Sequence, residues 1–173
     1  MQRELLQKTA LSARALRTLG WHLGGRCVAG EVIALSGPLG AGKTLLTQAL
    51  ARGLGVGFDT RVTSPTFTVV QAYEGRLGLH HADLYRLGSA DELHEIGLFE
   101  QSVDGVAVIE WPEHGAGAIP EGALWVFITV EGPETRGVRF AGDEAVLARF
   151  ASALGAGEEG VDPRVYSHDG DDP

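Results

Sequence analysis

Residues 37–44 read Gly37-Pro38-Leu39-Gly40-Ala41-Gly42-Lys43-Thr44, the pattern G-x-x-x-x-G-K-[ST], between two segments of opposite character. Before it, Glu31-Val32-Ile33-Ala34-Leu35-Ser36 is a short apolar run with glycines on both sides, which predicts a buried strand. After it, Leu45 to Leu54 is rich in helix formers and runs into Gly53 and Gly55. Strand, tight loop and helix in that order demand a sheet with helices packed on it. The chain has 25 glycines, roughly twice the usual ~7%, so the pattern alone has some chance of arising at random. The strand before it and the helix after it argue against accident.

Glycines let a backbone wrap until successive N–H groups face one point, and the following helix aims the positive end of its dipole there. Such a cradle suits the phosphates of a nucleotide. Lys43 is expected to reach the β- and γ-phosphates, and the Thr44 hydroxyl to ligate a bridging Mg²⁺. The expected contacts of ATP or ADP are Pro38, Leu39, Gly40, Ala41, Gly42, Lys43, Thr44 and Leu45.

Charge and cysteine usage narrow the class. The formal net charge is −9, and no basic stripe is present, so tight binding to nucleic acid by this chain alone is not expected. No apolar run approaches the ~20 residues of a membrane span. Arg3, Glu4, Lys8, Arg14 and Arg17 interrupt the leucines near the N-terminus, unlike a signal-peptide core. The single Cys27 offers neither a disulfide nor a metal site. A cytoplasmic protein is the expectation.

Hydrophobic periodicity predicts an amphipathic helix over residues 4–23, then the βα unit. A hairpin of two strands, Phe67–Tyr73 and Leu77–Ala82, follows, turning at Glu74-Gly75-Arg76. A helix over 89–101 has Ser89 and Glu92 placed as a capping box. Strands are expected at Val106–Ile109, Leu124–Val130 and Gly137–Ala141, and a last helix at Asp143–Leu154. The fold class is α/β: a three-layer P-loop NTPase fold with a mixed sheet that includes an antiparallel hairpin. Residues 1–154 form a single P-loop ATPase domain. Residues 155–173, with six acids against Arg164, read as an acidic, disordered tail.

A phosphate loop needs a carboxylate near its magnesium and a group that responds to the γ-phosphate. Glu110 ends an apolar strand, where an acid serves the ion or its water. Asp83 ends the second hairpin strand in His80-His81-Ala82-Asp83-Leu84-Tyr85-Arg86 and competes for that role or shares it. Asp83 could instead be a helix N-cap after its strand. In the hydroxyl-rich loop Thr63-Ser64-Pro65-Thr66, Ser64 or Thr66 could meet the γ-phosphate. His80 and His81 alternate across a strand, so at most one faces any site. Trp111 reads equally as a stacking platform or as core.

Five segments together resemble one family: Gly-Pro-Leu-Gly-Ala-Gly-Lys-Thr (37–44), Val-Thr-Ser-Pro-Thr-Phe-Thr-Val-Val (62–70), His-Ala-Asp-Leu-Tyr-Arg-Leu (81–87), Glu-Ile-Gly-Leu-Phe-Glu (95–100) and Val-Ile-Glu-Trp-Pro-Glu (108–113). Their order is that of the TsaE family, also called YjeE, of bacterial tRNA threonylcarbamoyladenosine synthesis. The resemblance implies an ATPase, weak alone, that docks on TsaB and TsaD. TsaD transfers a threonylcarbamoyl group to the adenosine beside the tRNA anticodon, and the ATPase resets that complex between turnovers. The chain would meet tRNA only through the complex. By the same resemblance Thr44 and Glu110 hold Mg²⁺, while Asp83, Ser64 and Thr66 fall at positions tied to activity, with Lys43, Asp83, Glu110 and Thr66 as the catalytic set. Pro38 stands where the family frequently has aspartate, and Ala82 stands between His81 and Asp83.

Other readings are a nucleotide-binding scaffold without hydrolysis and a small-molecule kinase. A kinase would need arginines in a lid, and after Gly115 the chain has only Arg136, Arg139, Arg149 and Arg164, widely spaced. A guanine-specific switch needs an Asn-Lys-x-Asp segment, and this chain has no asparagine.

Overall fold

A computed structural model describes residues 6–65 and 69–167. Seven strands form one mixed sheet: β1 (Leu6–Leu11), β2 (Glu31–Ser36), β3 (Val70–Tyr73), β4 (Leu79–Asp83), β5 (Val106–Glu110), β6 (Leu124–Val130) and β7 (Arg136–Ala141). Their order across the sheet is β1-β7-β6-β2-β5-β4-β3. β4, β5, β2 and β6 run parallel, while β3–β4, β6–β7 and β7–β1 are antiparallel pairs.

Alternation along the central strands explains the three layers. Ile33, Leu35, Val106 and Val108 face the larger core, beneath helices α1 (Ala13–Arg26), α2 (Lys43–Gly53) and α5 (Glu144–Gly155). Val32, Ala107 and Ile109 face the opposite core, with Leu93 and Leu98 from the short helices α3 (Ala90–Ile96) and α4 (Leu98–Gln101). Strands buried on both faces read as continuous apolar runs, as these do. Helices α1 and α2 meet backbone to backbone. A Cβ on Gly24 would lie 2.1 Å from the Leu50 carbonyl oxygen, and one on Gly53 would lie 2.2 Å from that of Trp21.

The predicted βα unit, the hairpin, the three later strands and the last helix all form, two of the strands with the expected bounds and the other elements with ends shifted by up to three residues. Phe67 and Thr68, the first positions of the predicted hairpin, lie outside the described residues. The predicted helix over 4–23 is instead strand β1 followed by α1. Ser12 separates them: its Oγ accepts from the Ala15 amide at 3.0 Å, an N-cap that fixes where the helix begins. Upstream of that cap, the backbone pairs with β7. The predicted helix over 89–101 is two helices, broken at Gly97 with φ 73°. Ser89 occupies the N-cap position without a side-chain hydrogen bond, so the capping box does not form.

The tail differs most from expectation. Residues 156–167 fold back over α1 and α2 and end in a 3-10 turn, Pro163–Tyr166. Val161 and Val165 are buried with Ala49, beside Trp21 and Phe58. The Arg17 guanidinium donates to the Val165 carbonyl at 3.1 Å, and Glu158 pairs with Arg14. Two valines spaced four apart among acids lack the periodicity of a helix or strand, which is why the sequence reads as disordered there. No helix among the described residues is long and apolar enough to cross a membrane.

Cys27 is buried at the end of α1, and burial pushes its thiol up to about 12. At about pH 8 a thiol reagent should therefore label Cys27 only as the chain unfolds; rapid labelling of the native protein would contradict this. Ending the chain at Gly155 removes two buried valines, each worth about 1.5–3 kcal/mol at most. The shortened chain should fold but lose roughly 2–4 kcal/mol in denaturant unfolding; an unchanged midpoint would show that the docked segment contributes nothing.

Candidate nucleotide site

The loop between β2 and α2 is held from three sides. A Cβ on Gly37 would lie 2.6 Å from the Ile128 carbonyl oxygen of β6. Gly42, the N-cap of α2, has φ 111°, and a Cβ there would strike Leu16 of α1 at 2.7 Å. From β7, Arg136 closes the back: its Nε donates to the Ala41 carbonyl at 2.9 Å and its Nη2 to the Gly40 carbonyl at 3.1 Å. Its Nη1 is anchored on the carbonyls of Gly132 and Thr135, each at 3.0 Å. In a trans peptide the carbonyl and N–H point opposite ways, so drawing the Ala41 carbonyl to Arg136 turns the Gly42 N–H away from it. No side chain caps α2. Its first-turn amides therefore have no intrahelical partner and suit an anion.

The Lys43 ammonium folds back onto its own loop, donating to the carbonyls of Gly37 at 2.6 Å and Pro38 at 3.0 Å. The Trp111 ring centroid lies 4.1 Å from it. Burial holds Lys43 below the ordinary lysine range, while Glu110, Glu113 and Asp83 pull the other way. The charges of three carboxylates thus act on one ammonium group. Glu113 is fixed by a hydrogen bond from the Ser36 hydroxyl at the end of β2.

Glu110 is buried at the end of β5, 3% exposed. The Thr44 hydroxyl donates to it, at 3.1 Å from Oε1 and 3.3 Å from Oε2. Nε2 of His81, a residue with no exposed surface, lies 2.9 Å from the same Oε1. Asp83 pairs in register with Glu110 across β4 and β5. Its Oδ2 accepts from Ser64 Oγ at 2.8 Å and its Oδ1 from the Tyr85 amide at 2.9 Å. Asp83 therefore both caps the turn after β4 and tethers the Ser64 loop.

Sequence reasoning placed Lys43, Thr44, Asp83, Glu110 and Ser64 together, and the structure does the same. Thr66 lies outside the described residues. Leu39 is the exposed outer tip of the loop. Pro38 meets Lys43 through its carbonyl, and Gly40 and Ala41 meet Arg136. Trp111 is neither plain core nor free platform. It adopts a left-handed backbone, φ 56°, and sits between Lys43 and Tyr85, whose ring is 5.1 Å away and largely exposed. The sequence assigns no role to two residues that the structure brings to the site, His81 and Arg136. His81 had a usable signal, since residues 81 and 83 share one face of a strand. Arg136, far along the chain from the loop, had none.

Outside the loop, an open groove of about 430 Å³ is lined by Ser12, Ala13, Leu16, Leu45, Pro133 and neighbours. It adjoins Gly40, Ala41 and Gly42, with Arg14, Glu134 and Arg136 at its border.

Known proteins share both the sequence and the fold of this chain. The family described as threonylcarbamoyl adenosine biosynthesis protein TsaE matches residues 10–138. The tRNA threonylcarbamoyladenosine biosynthesis protein TsaE of Streptomyces coelicolor is 39% identical over 148 residues, covering 83% of this chain and 92% of that one. The protein of the same name from Treponema pallidum is 44% identical over 102 residues, 58% of this chain and 74% of the relative. Among solved structures, that of Bacillus subtilis YdiB superposes with a TM-score of 0.71 at 26% identity, covering 90% of this chain and 97% of the other. A P-loop NTPase-like fold, the loop with its paired Thr44 and Glu110, and these matches converge: the chain belongs to the TsaE family of tRNA threonylcarbamoyladenosine biosynthesis.

Proposed function

We propose that the chain is a Mg²⁺-dependent ATPase that serves threonylcarbamoyl transfer to the adenosine beside the tRNA anticodon, acting in the cytoplasm through a TsaB–TsaD complex. The observation that carries this reading is the Thr44 hydroxyl on the buried Glu110 carboxylate at the mouth of the loop. Magnesium takes hard oxygen ligands and keeps several waters, so one hydroxyl and one carboxylate beside a phosphate cradle fit it. Among the described residues no cluster of three or more His, Cys, Asp or Glu side chains offers an all-protein cage instead. When bound, the ion would neutralise charge on the transferred phosphoryl group.

The remaining chemistry belongs to the chain. Lys43 exchanges the Gly37 and Pro38 carbonyls for phosphate oxygens. The unpartnered amides at the start of α2 orient the phosphates, and the apolar side of the groove at Leu16, Leu45 and Pro133 receives the nucleoside. Glu110 serves the metal side, and Asp83 with Ser64 serves the attacking water. The Ser64–Asp83 bond would break or tighten as the γ-phosphate comes and goes.

The kinase alternative loses its arginines. Arg136 is bound to loop carbonyls, Arg139 lies over Phe127, Arg149 pairs with Glu31 and Arg164 with Asp162. With no arginine bonded into the Lys43–Glu110 site by the hydrogen bonds found among the described residues, hydrolysis would be slow without a partner. A net charge of −9 fits contact with tRNA through partner subunits.

The test is phosphate release from ATP, with and without TsaB and TsaD. Stimulation by the pair is expected; nucleotide binding with no release in either case would leave the scaffold reading standing. Lys43→Ala should lower turnover about 100-fold or more, and retained turnover would contradict its role. Glu110→Ala should chiefly remove the dependence on magnesium, and unchanged Mg²⁺-dependent hydrolysis would contradict the metal assignment. Arg136→Ala should weaken ADP binding about tenfold by freeing the loop carbonyls; calorimetry showing wild-type affinity would refute the clamp.

A further inference from the structure

His80 and His81 are neighbours on one strand, yet only His81 reaches the site. Its ring has no exposed surface, its Nε2 lies 2.9 Å from Glu110 Oε1, and its Nδ1 has no hydrogen-bond partner among the described residues. A buried imidazole normally satisfies both nitrogens. This one directs its single polar contact at the carboxylate assigned to magnesium. An ionised carboxylate accepts only, so Nε2 carries the proton and donates.

We propose that His81 is the positioning residue for Glu110, fixing which carboxylate oxygen faces the cation; this rests on the magnesium-side reading of Glu110. Two groups hold the carboxylate. The Thr44 hydroxyl bonds both oxygens weakly, at 3.1 and 3.3 Å, whereas His81 bonds Oε1 at 2.9 Å. Thr44 must turn its hydroxyl oxygen toward a cation to ligate it. His81 is then the donor that stays on Oε1, leaving Oε2 for the ion or its bound water. Without it, a side chain with three rotatable bonds must be ordered by the metal itself. Among the described residues of β4 and β5, no other side chain donates to Glu110. His81 stands in register with Val108 and Asp83 with Glu110, so Val108, His81 and Asp83 are the residues beside Glu110 on that face of β4 and β5, while Ala82 and Ile109 face the opposite core. Asp83 is a like charge with both oxygens already engaged.

The experiment titrates Mg²⁺ into the full chain at saturating ADP, by calorimetry, and separately measures ADP binding in EDTA. Glutamine can place its amide nitrogen where Nε2 stands; asparagine is too short to reach Glu110. His81→Asn should weaken Mg²⁺ binding about tenfold or more with ADP affinity in EDTA unchanged, and His81→Gln should recover most of the loss. Wild-type Mg²⁺ affinity in His81→Asn would overturn the proposal, as would equal losses in both variants accompanied by loss of ADP binding in EDTA. Glu110→Gln is the control: if it leaves Mg²⁺ affinity unchanged, the magnesium-side reading of Glu110 itself fails and takes the inference with it.

Discussion

The ammonium of Lys43 is a buried positive charge held by two carbonyls of its own loop, and the site is organised around it. Carbonyl dipoles solvate such a charge less well than water does, so it stands below its ordinary protonation range. Three carboxylates face it, but among its hydrogen-bond acceptors in the structure none is a carboxylate. A polyanion entering the cradle would supply what the charge lacks. The loop that supplies those carbonyls packs closely on Ile128 and Leu16 and is bonded by Arg136.

The sheet brings the rest to the same edge. β5 lies between its parallel neighbours β2 and β4, and their C-terminal ends deliver Asp83 beside Glu110, with Ser36 one residue beyond Leu35, the β2 partner of Glu110. Ligands of open α/β sheets collect beyond the carboxyl ends of the strands for this reason. The α1–α2 contact through Gly24 and Gly53 seats the helix that carries Lys43 and Thr44 against the helix that walls the groove. The docked segment 156–167 braces that helix pair from the far side, so the acidic end of the chain belongs to the folded body at least as far as Ser167.

What the sequence made legible was local. The βα unit was readable because the motif, the apolar run and the helix formers all agree within some twenty positions, and local agreement of this kind is what sequence patterns carry. Glu110 and Asp83 were readable as strand-end acids. The first helix was misread because the leucine spacing continues through Ser12 into β1, and only the cap and the pairing with β7 decide the boundary. Arg136 and the docking of Val161 and Val165 depend on contacts between distant parts of the chain. Strand parity limits the site to one of His80 and His81, and sharing the parity of Asp83 marks His81 as that one.

The TsaE family assignment accounts for the segments shared along residues 10–138, while the physical account rests on the loop amides gripping phosphate. Amide hydrogen exchange, compared with and without ADP and Mg²⁺, tests that claim most directly. Slowed exchange concentrated at Gly42 to Leu45 is the predicted result. No protection there, or protection confined to other parts of the chain, would contradict it.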